Sequence, residues 1–120
     1  MKENPIREKS FAFALRVLKL AKSLERDKKE FVLSRQVLRS GTAIGALIRE
    51  AEHAESKADF THKMSIALKE ANETLYWLDL LHHGECVQDE SFELMRSDNQ
   101  ELVKLLTAIV KTSKVTLRSE

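Results

Sequence analysis

The sequence predicts an all-α protein folded as an antiparallel up-down-up-down four-helix bundle. Its 120 residues suffice for one domain with a buried core. Charged residues make up 32% and apolar residues 42%, yet there are only 3 glycines and 1 proline. This composition favours long helices with solvated faces and argues against disorder and turn-rich β-folds. Apolar periodicity places the helices at about residues 7–27, 30–54, 57–82 and 89–113 of a single domain spanning 1–120.

The first helix is amphipathic, and its wet side is cationic. Phe13, Val17 and Leu24 recur at helical spacing on the apolar side. The opposite side carries five basic residues, namely Lys9, Arg16, Lys19, Lys22 and Arg26. Such an arc can follow a phosphate backbone, but no aromatic residue lies on it to stack a base, so sequence-specific recognition is not expected. A solvated basic face without a ligand is the alternative interpretation.

The second helix has two glycines one turn apart. Gly41 and Gly45 should each cost about 1 kcal/mol of helix stability relative to alanine. Their common face therefore predicts that another backbone passes close by. Ser40 and Thr42 flank the first glycine, where their hydroxyls can bond to carbonyls or to a neighbouring helix.

The third and fourth helices have recognisable boundaries. Ser56 followed by Asp59 reads as a capping box, which predicts a tight turn between antiparallel helices two and three. Gly84 follows two histidines and is a suitable C-terminal stop for the third helix. In the fourth helix the apolar pattern is interrupted near Asp98, where we expect a bend, and its last residues are expected to fray.

Catalytic and metal-binding motifs are absent from the sequence. Glu50 with His53, and Asp79 with His82, have the i, i+3 spacing of di-iron bundle ligands. The first pair lies beside the turn between helices two and three, and the second lies roughly 30 Å away at 1.5 Å per residue, so they cannot share a metal. Cys86, the only cysteine, has no evident base, and no phosphate loop or HExxH motif occurs. We expect no enzyme, no cofactor and no metal.

Two carboxylates lie on the mostly apolar third helix. Glu70 and Glu73 could accept from Arg35, Arg39 or Arg49 on the second helix. The alternative is a solvated ridge, because buried charges are uncommon without partners.

Several segments then resemble a known family. Residues 38–51 read LRSGTAIGALIREA, residues 55–60 ESKADF, residues 66–71 IALKEA, residues 73–78 ETLYWL and residues 105–112 LLTAIVKT. These segments resemble the bacterial four-helix bundle proteins, also called 23S rRNA intervening-sequence proteins. The resemblance covers nearly the whole chain.

The resemblance implies partners. The family is similar in fold to the accessory variability determinant of diversity-generating retroelements, a ring-shaped pentamer that binds nucleic acid and a reverse transcriptase. It therefore implies a homopentamer, an RNA or DNA partner, and a nucleic-acid enzyme such as a reverse transcriptase as a protein partner, without catalysis. The family usually has Ser where this chain has Ala43, and Asn where it has Leu47, so packing there should be more apolar.

The family motif also implies structural residues. Matching positions are Arg39, Ser40, Gly41, Thr42, Arg49, Glu50, Glu70 and Trp77. The resemblance implies mostly structural roles for them. We expect a close helix contact at Gly41 and a polar network around Arg39, Glu50 and Glu70.

The uneven charge distribution leaves two functions open. Residues 1–30 carry nine basic and five acidic groups, whereas residues 84–100 carry one and five. One hypothesis is a homo-oligomer that binds nucleic acid through its basic surface. The other is a protein-interaction scaffold without nucleic-acid affinity, using Tyr76, Trp77 and the acidic stretch. A single cysteine, no apolar run of 18 residues and no secretory signal lead us to expect a cytoplasmic protein.

Overall fold

The computed structural model describes residues 4–119, which form a bundle of four helices. These are α1 (Pro5–Asp27), α2 (Val32–Ala51), α3 (Lys57–His83) and α4 (Asp89–Ser119). The predicted all-α four-helix bundle is confirmed. Each helix packs along its sequence neighbour, whereas α1 and α4 touch over a smaller area, so the bundle closes least tightly on that side.

The core is a continuous apolar column to which all four helices contribute. Its fully buried large side chains include Phe13 and Val17 of α1, Ile44 and Ile48 of α2, Leu78 and Leu81 of α3, and Leu102 and Leu106 of α4. Their spacing is the i, i+3, i+4 pattern of amphipathic helices. Of the helices within residues 4–119, none is both long and apolar enough to cross a membrane.

Local capping explains where the helices begin. α1 begins at Pro5, two residues before the predicted start, because Asn4 accepts a hydrogen bond from the Arg7 N–H at 3.3 Å and proline suits the first helical position. The Ser56 hydroxyl accepts from the Asp59 N–H at 3.0 Å, as the capping box predicts. The Asp59 carboxylate accepts from the Glu55 N–H at 3.2 Å, one residue earlier than in a standard capping box.

Other predicted boundaries also differ from the structure, and α2 ends at Ala51 rather than near residue 54. α2 begins at Val32 rather than near residue 30, because the Glu30 carboxylate accepts the N–H groups of Val32 at 2.8 Å and Leu33 at 2.9 Å. α4 continues through Asp98 without a break and reaches Ser119 rather than ending near residue 113. A hydroxyl–hydroxyl hydrogen bond between Thr61 and Ser113 ties its later turns to α3.

The turn after α3 uses a different residue from the one expected. Gly84 has φ −81°, and the left-handed conformation falls on Glu85, with φ 63°. The Cys86 N–H then donates to the Leu81 carbonyl at 2.8 Å. Gly84 still caps the helix, but its conformational freedom is not what the turn requires.

Candidate nucleic-acid interface

The five basic residues predicted on the first helix all lie exposed on α1, and we call them the α1 arc: Lys9, Arg16, Lys19, Lys22 and Arg26. The arc borders α4, whose carboxylates neutralise part of it. Lys9 Nζ lies 2.9 Å from Glu101 Oε1, and Arg16 pairs with Asp98. These two cations therefore serve the sparse contact between α1 and α4.

The remaining three cations of the α1 arc lie further along the helix. Arg26 Nε lies 2.8 Å from Asp27 Oδ1, and this hydrogen bond lowers the pKa of Asp27 and raises the pKa of Arg26. Lys19 and Lys22 have no carboxylate of the described chain within 4.0 Å. Within the α1 arc, therefore, only Lys19 and Lys22 have no ion pair with a described carboxylate. Nucleic-acid binding by the arc stays a prediction.

A second set of cations, which we call the α4 stripe, lies on the C-terminal half of α4. It consists of Lys104, Lys111, Lys114 and Arg118, all exposed and none within 4.0 Å of a described carboxylate. The sequence did not single it out, because the predicted helix ended near residue 113 and so left Lys114 and Arg118 outside the row that Lys104 and Lys111 begin. The signal was present, since residues 102–119 contain these four bases and no acid.

The family-motif residues form a polar network between α2 and α3. Arg39 lies 3.3 Å from the Glu70 carboxylate and also pairs with Glu73, which accepts from the Trp77 Nε1–H at 2.9 Å. The glutamates are therefore partners of Arg39 rather than a solvated ridge. The expectation that Glu50 joins this network was wrong. Glu50 lies eleven residues after Arg39 on α2 and pairs instead with Lys63.

That separate pair is itself well formed. Lys63 Nζ lies 3.0 Å from Glu50 Oε1, and the hydrogen bond raises the pKa of Lys63. It links α2 to α3 near their connecting turn. Glu50 thus has a local structural contact at the C-terminal end of α2, about three turns from Arg39.

The small residues of the motif explain the close contact of α1 with α2. A Cβ at Gly41 would lie 2.8 Å from both methyl carbons of Val17, whereas a Cβ at Gly45 would lie 3.5 Å from the Ser10 hydroxyl. Ser40 and Thr42 bond back to the carbonyls of Gln36 and Leu38, at 3.1 and 2.7 Å. Gly41 is therefore the residue that the helix contact requires.

Part of the outer surface of α1 is apolar. Phe11, Leu15 and Leu18 are 54%, 44% and 36% exposed, and the Arg49 guanidinium lies 5.6 Å from the centre of the Phe11 ring. Three apolar side chains on one helix side form a larger patch than scattered single residues do. We call Phe11, Leu15 and Leu18 the α1 patch.

The histidines and the cysteine near the α3–α4 turn make local contacts. His82 Nε2 lies 2.7 Å from Asp89 Oδ1, and its ring stacks on Phe92 with centroids 4.0 Å apart. Cys86 Sγ contacts the Gly84 carbonyl at 3.7 Å. Among residues 4–119, no group of three or more His, Cys, Asp or Glu side chains is arranged to hold a metal ion.

Comparisons with known proteins agree with the architecture. The family model described as "23S rRNA-intervening sequence protein" matches residues 2–108. A crystal structure from Bacteroides thetaiotaomicron, described as a protein of unknown function from the S23 ribosomal protein family, is similar with a TM-score of 0.87 and 54% identity. The similarity covers 88% of this chain and 98% of that one. No curated protein matches the chain.

Proposed function

Because the chain belongs to the 23S rRNA-intervening sequence protein family, we propose that it is a non-catalytic, homo-oligomeric bundle that binds RNA or DNA without sequence preference. The observation that carries this proposal is a surplus of exposed cations without a described carboxylate within 4.0 Å. They include Lys19, Lys22, Lys28, Lys29, Arg35, Lys69, Arg96, Lys104, Lys111, Lys114 and Arg118. Cations that pair with no carboxylate of residues 4–119 are available to neutralise phosphates.

The expected recognition is electrostatic. Each neutralised phosphate releases condensed counterions, so affinity falls steeply as salt rises, whatever the base sequence. Base-specific readout needs side chains fixed against base edges or aromatic platforms, and the α4 stripe and α1 arc contain only flexible lysines and arginines. The proposal is therefore a backbone-binding protein for RNA or DNA.

Titration of the purified protein against a structured RNA and a duplex DNA at two salt concentrations tests this function. We expect binding to both, and a marked loss of affinity at the higher salt. No binding to either nucleic acid at low salt would refute the proposal.

Self-association is the second part of the proposal. The α1 patch exposes apolar surface that a neighbouring copy would cover, and the family resemblance suggests a pentamer. Light scattering at micromolar concentration should give a mass near five chains. Replacing Leu15 and Leu18 by glutamate should lower that mass, whereas the same replacement at exposed Ser97 and Thr107 should not. A monomer mass for the unmodified protein would refute this part.

A protein-interaction scaffold is the alternative function, and one surface favours it. Tyr76 is 56% exposed beside the half-buried Trp77, with ring centroids 5.0 Å apart, and Leu80 is exposed one turn further along α3. Exposed aromatic residues are typical anchors of protein interfaces. A nucleic-acid enzyme such as a reverse transcriptase is the partner that the resemblance suggests. Stable capture of such an enzyme, without any affinity of the bundle for nucleic acid, would favour the scaffold.

A further inference from the structure

We infer that the nucleic-acid backbone binds along the α4 stripe, on the C-terminal half of α4, and not along the α1 arc. This inference rests on the proposed function and assigns its surface. Lys111, Lys114 and Arg118 lie beyond residue 108, where the family match ends.

The geometry of the α4 stripe suits a charged rod. At 100° per residue, Lys104, Lys111, Lys114 and Arg118 fall within an arc of about 80° on one side of α4. Lys104 and Arg118 are separated by about 21 Å along the axis at 1.5 Å per residue. A nucleic-acid duplex presents one phosphate charge per about 1.7 Å of its axis, so a straight row of cations of this length can contact several phosphates.

The described C-terminal half of α4 and the part of α3 beside it contain few acidic residues. Residues 102–119 contain no acid, and the part of α3 packed beside them, residues 57–69, contains only Asp59. The Asp59 carboxylate accepts the Glu55 N–H at 3.2 Å and belongs to the α2–α3 turn. Glu101, one turn before Lys104, pairs with Lys9 at 2.9 Å, so no carboxylate of residues 4–119 forms an ion pair with the stripe.

The α1 arc differs in this respect. Two of its five cations pair with α4 and one with Asp27. A phosphate that recruited Lys9 or Arg16 would have to displace Glu101 or Asp98 and loosen the α1–α4 contact. Binding there would cost interactions that binding at the α4 stripe leaves intact.

Stabilisation of the helix end does not account for the whole stripe. Cations interact favourably with the C-terminal end of a helix, but that effect fades beyond the last turn. It covers Arg118, whereas Lys104 and Lys111 lie two or more turns before the end of α4 at Ser119. Because Lys104 and Lys111 have no ion pair within residues 4–119, they are available to a phosphate from outside the chain.

The chemistry of the stripe favours phosphate over an acidic protein. Three of its four cations are lysines, which act as point charges on flexible stems and do not need a planar partner. The side chain between Lys104 and Lys111 on this side is the small, exposed Thr107, whose hydroxyl donates to the Val103 carbonyl at 2.7 Å and adds no charge to the stripe. No aromatic residue occurs in residues 102–119, although protein interfaces commonly rely on aromatic anchors.

Two charge-matched variants test the inference. The stripe variant replaces Lys104, Lys111, Lys114 and Arg118 by glutamine. The control variant replaces Lys19, Lys22, Lys28 and Lys29 by glutamine. These four exposed cations likewise have no described ion pair, so both variants lose four positive charges. Binding is measured by fluorescence anisotropy with a labelled 20-base-pair RNA duplex, and the same DNA duplex, across a series of salt concentrations.

We expect the stripe variant to bind the duplex at least about tenfold more weakly at low salt. The slope of its log affinity against log salt concentration should be shallower by up to about 3.6, because each lost phosphate contact contributes about 0.9. The control variant should keep the slope of the unmodified protein. The helical circular dichroism signal should be unchanged in both, because all substituted side chains are exposed, and loss of the helix-end interaction of Arg118 should lower the melting temperature of the stripe variant by no more than about 4 °C. A third variant, with arginine at the three lysines of the stripe, keeps the charge and should bind as the unmodified protein does.

The outcomes separate the inference from the function on which it rests. If the unmodified protein binds neither duplex, the proposed function fails. If it binds but the stripe variant matches the control variant, the function stands and the α4 stripe is excluded as its surface. Displacement of the duplex by polyglutamate of equal charge at equal concentration would also overturn the inference, because the stripe would then not favour phosphate over carboxylate.

Discussion

Replacing Gly41 by alanine should destabilise the bundle, although alanine is the better helix former. The contact of α1 with α2 leaves no room at this position. A Cβ at Gly41 would lie 2.8 Å from each methyl carbon of Val17 and 3.2 Å from its Cβ. Gly45, one turn along, is the matched control, because a Cβ there would meet Ser10 at an ordinary 3.5 Å.

The expected magnitude is the difference between two effects. Alanine gains about 1 kcal/mol of helix stability over glycine at either position. Overpacking costs about 1–3 kcal/mol, and we expect the upper value at Gly41 because Val17 is fully buried and valine has one strongly preferred rotamer in a helix. Gly41→Ala should therefore destabilise the fold by about 2 kcal/mol, whereas Gly45→Ala should stabilise it by about 1 kcal/mol.

Urea unfolding followed by circular dichroism at one protein concentration measures both effects, and fixed concentration removes any contribution of self-association. The melting temperatures should differ in the same sense, by about 4 °C per kcal/mol. Combining Gly41→Ala with Val17→Ala removes the clash, so the double variant should be more stable than the sum of the single effects predicts. The reasoning is refuted if Gly41→Ala is as stable as Gly45→Ala.

Three further changes test other contacts. Asn99 is fully buried; its Nδ2 donates to the Ala71 carbonyl at 3.0 Å, but its Oδ1 has no hydrogen-bond partner in the described chain. Asn99→Leu removes this unsatisfied polar atom and should raise the free energy of unfolding in urea by about 1 kcal/mol. A lower free energy of unfolding would contradict this reasoning. Arg39→Met should lower the free energy of unfolding by about 1 kcal/mol, because it removes the partner of Glu70, whose side chain is only 13% exposed. Arg35→Met is the control and should have little effect, because no ion pair of Arg35 is described. Glu73→Ala removes the acceptor of the Trp77 indole N–H and should shift the tryptophan fluorescence, whereas an unchanged spectrum would show that the 2.9 Å hydrogen bond does not form in solution.

Most of the fold could be predicted from the sequence, because its local signals agree. Apolar periodicity identified all four helices, and the Ser56 cap was predicted from residue type and spacing. The close backbone predicted at the glycine pair is instead the Val17 side chain at Gly41, and Gly45 has only ordinary contacts with Ser10. The other errors were at helix ends, where a single contact decides the boundary. Glu30 delays the start of α2, and the Thr61–Ser113 hydrogen bond lies near the predicted end of α4, which continues beyond it.

The candidate surface could be predicted only in part, because ion pairing depends on tertiary placement. The sequence shows five bases on one side of α1, but not that Asp98 and Glu101 of α4 lie opposite two of them. The same limit affected Glu50, which shares a motif with Arg39 but lies too far along α2 to reach its network. Residues 102–119 contain no acid, which is visible in the sequence. That Lys114 and Arg118 extend the row of Lys104 and Lys111 became evident only from the continuation of α4 to Ser119.

The most direct test of the proposed function is the salt dependence of duplex binding by the unmodified protein. Anisotropy titrations with one RNA duplex from low to moderate salt give the slope of log affinity against log salt. If the four cations of the α4 stripe contact phosphates, the slope should be about −3.6 or steeper, and a duplex of unrelated sequence should give the same value. A flat dependence, or no binding at the lowest salt, would contradict a function based on the phosphate backbone.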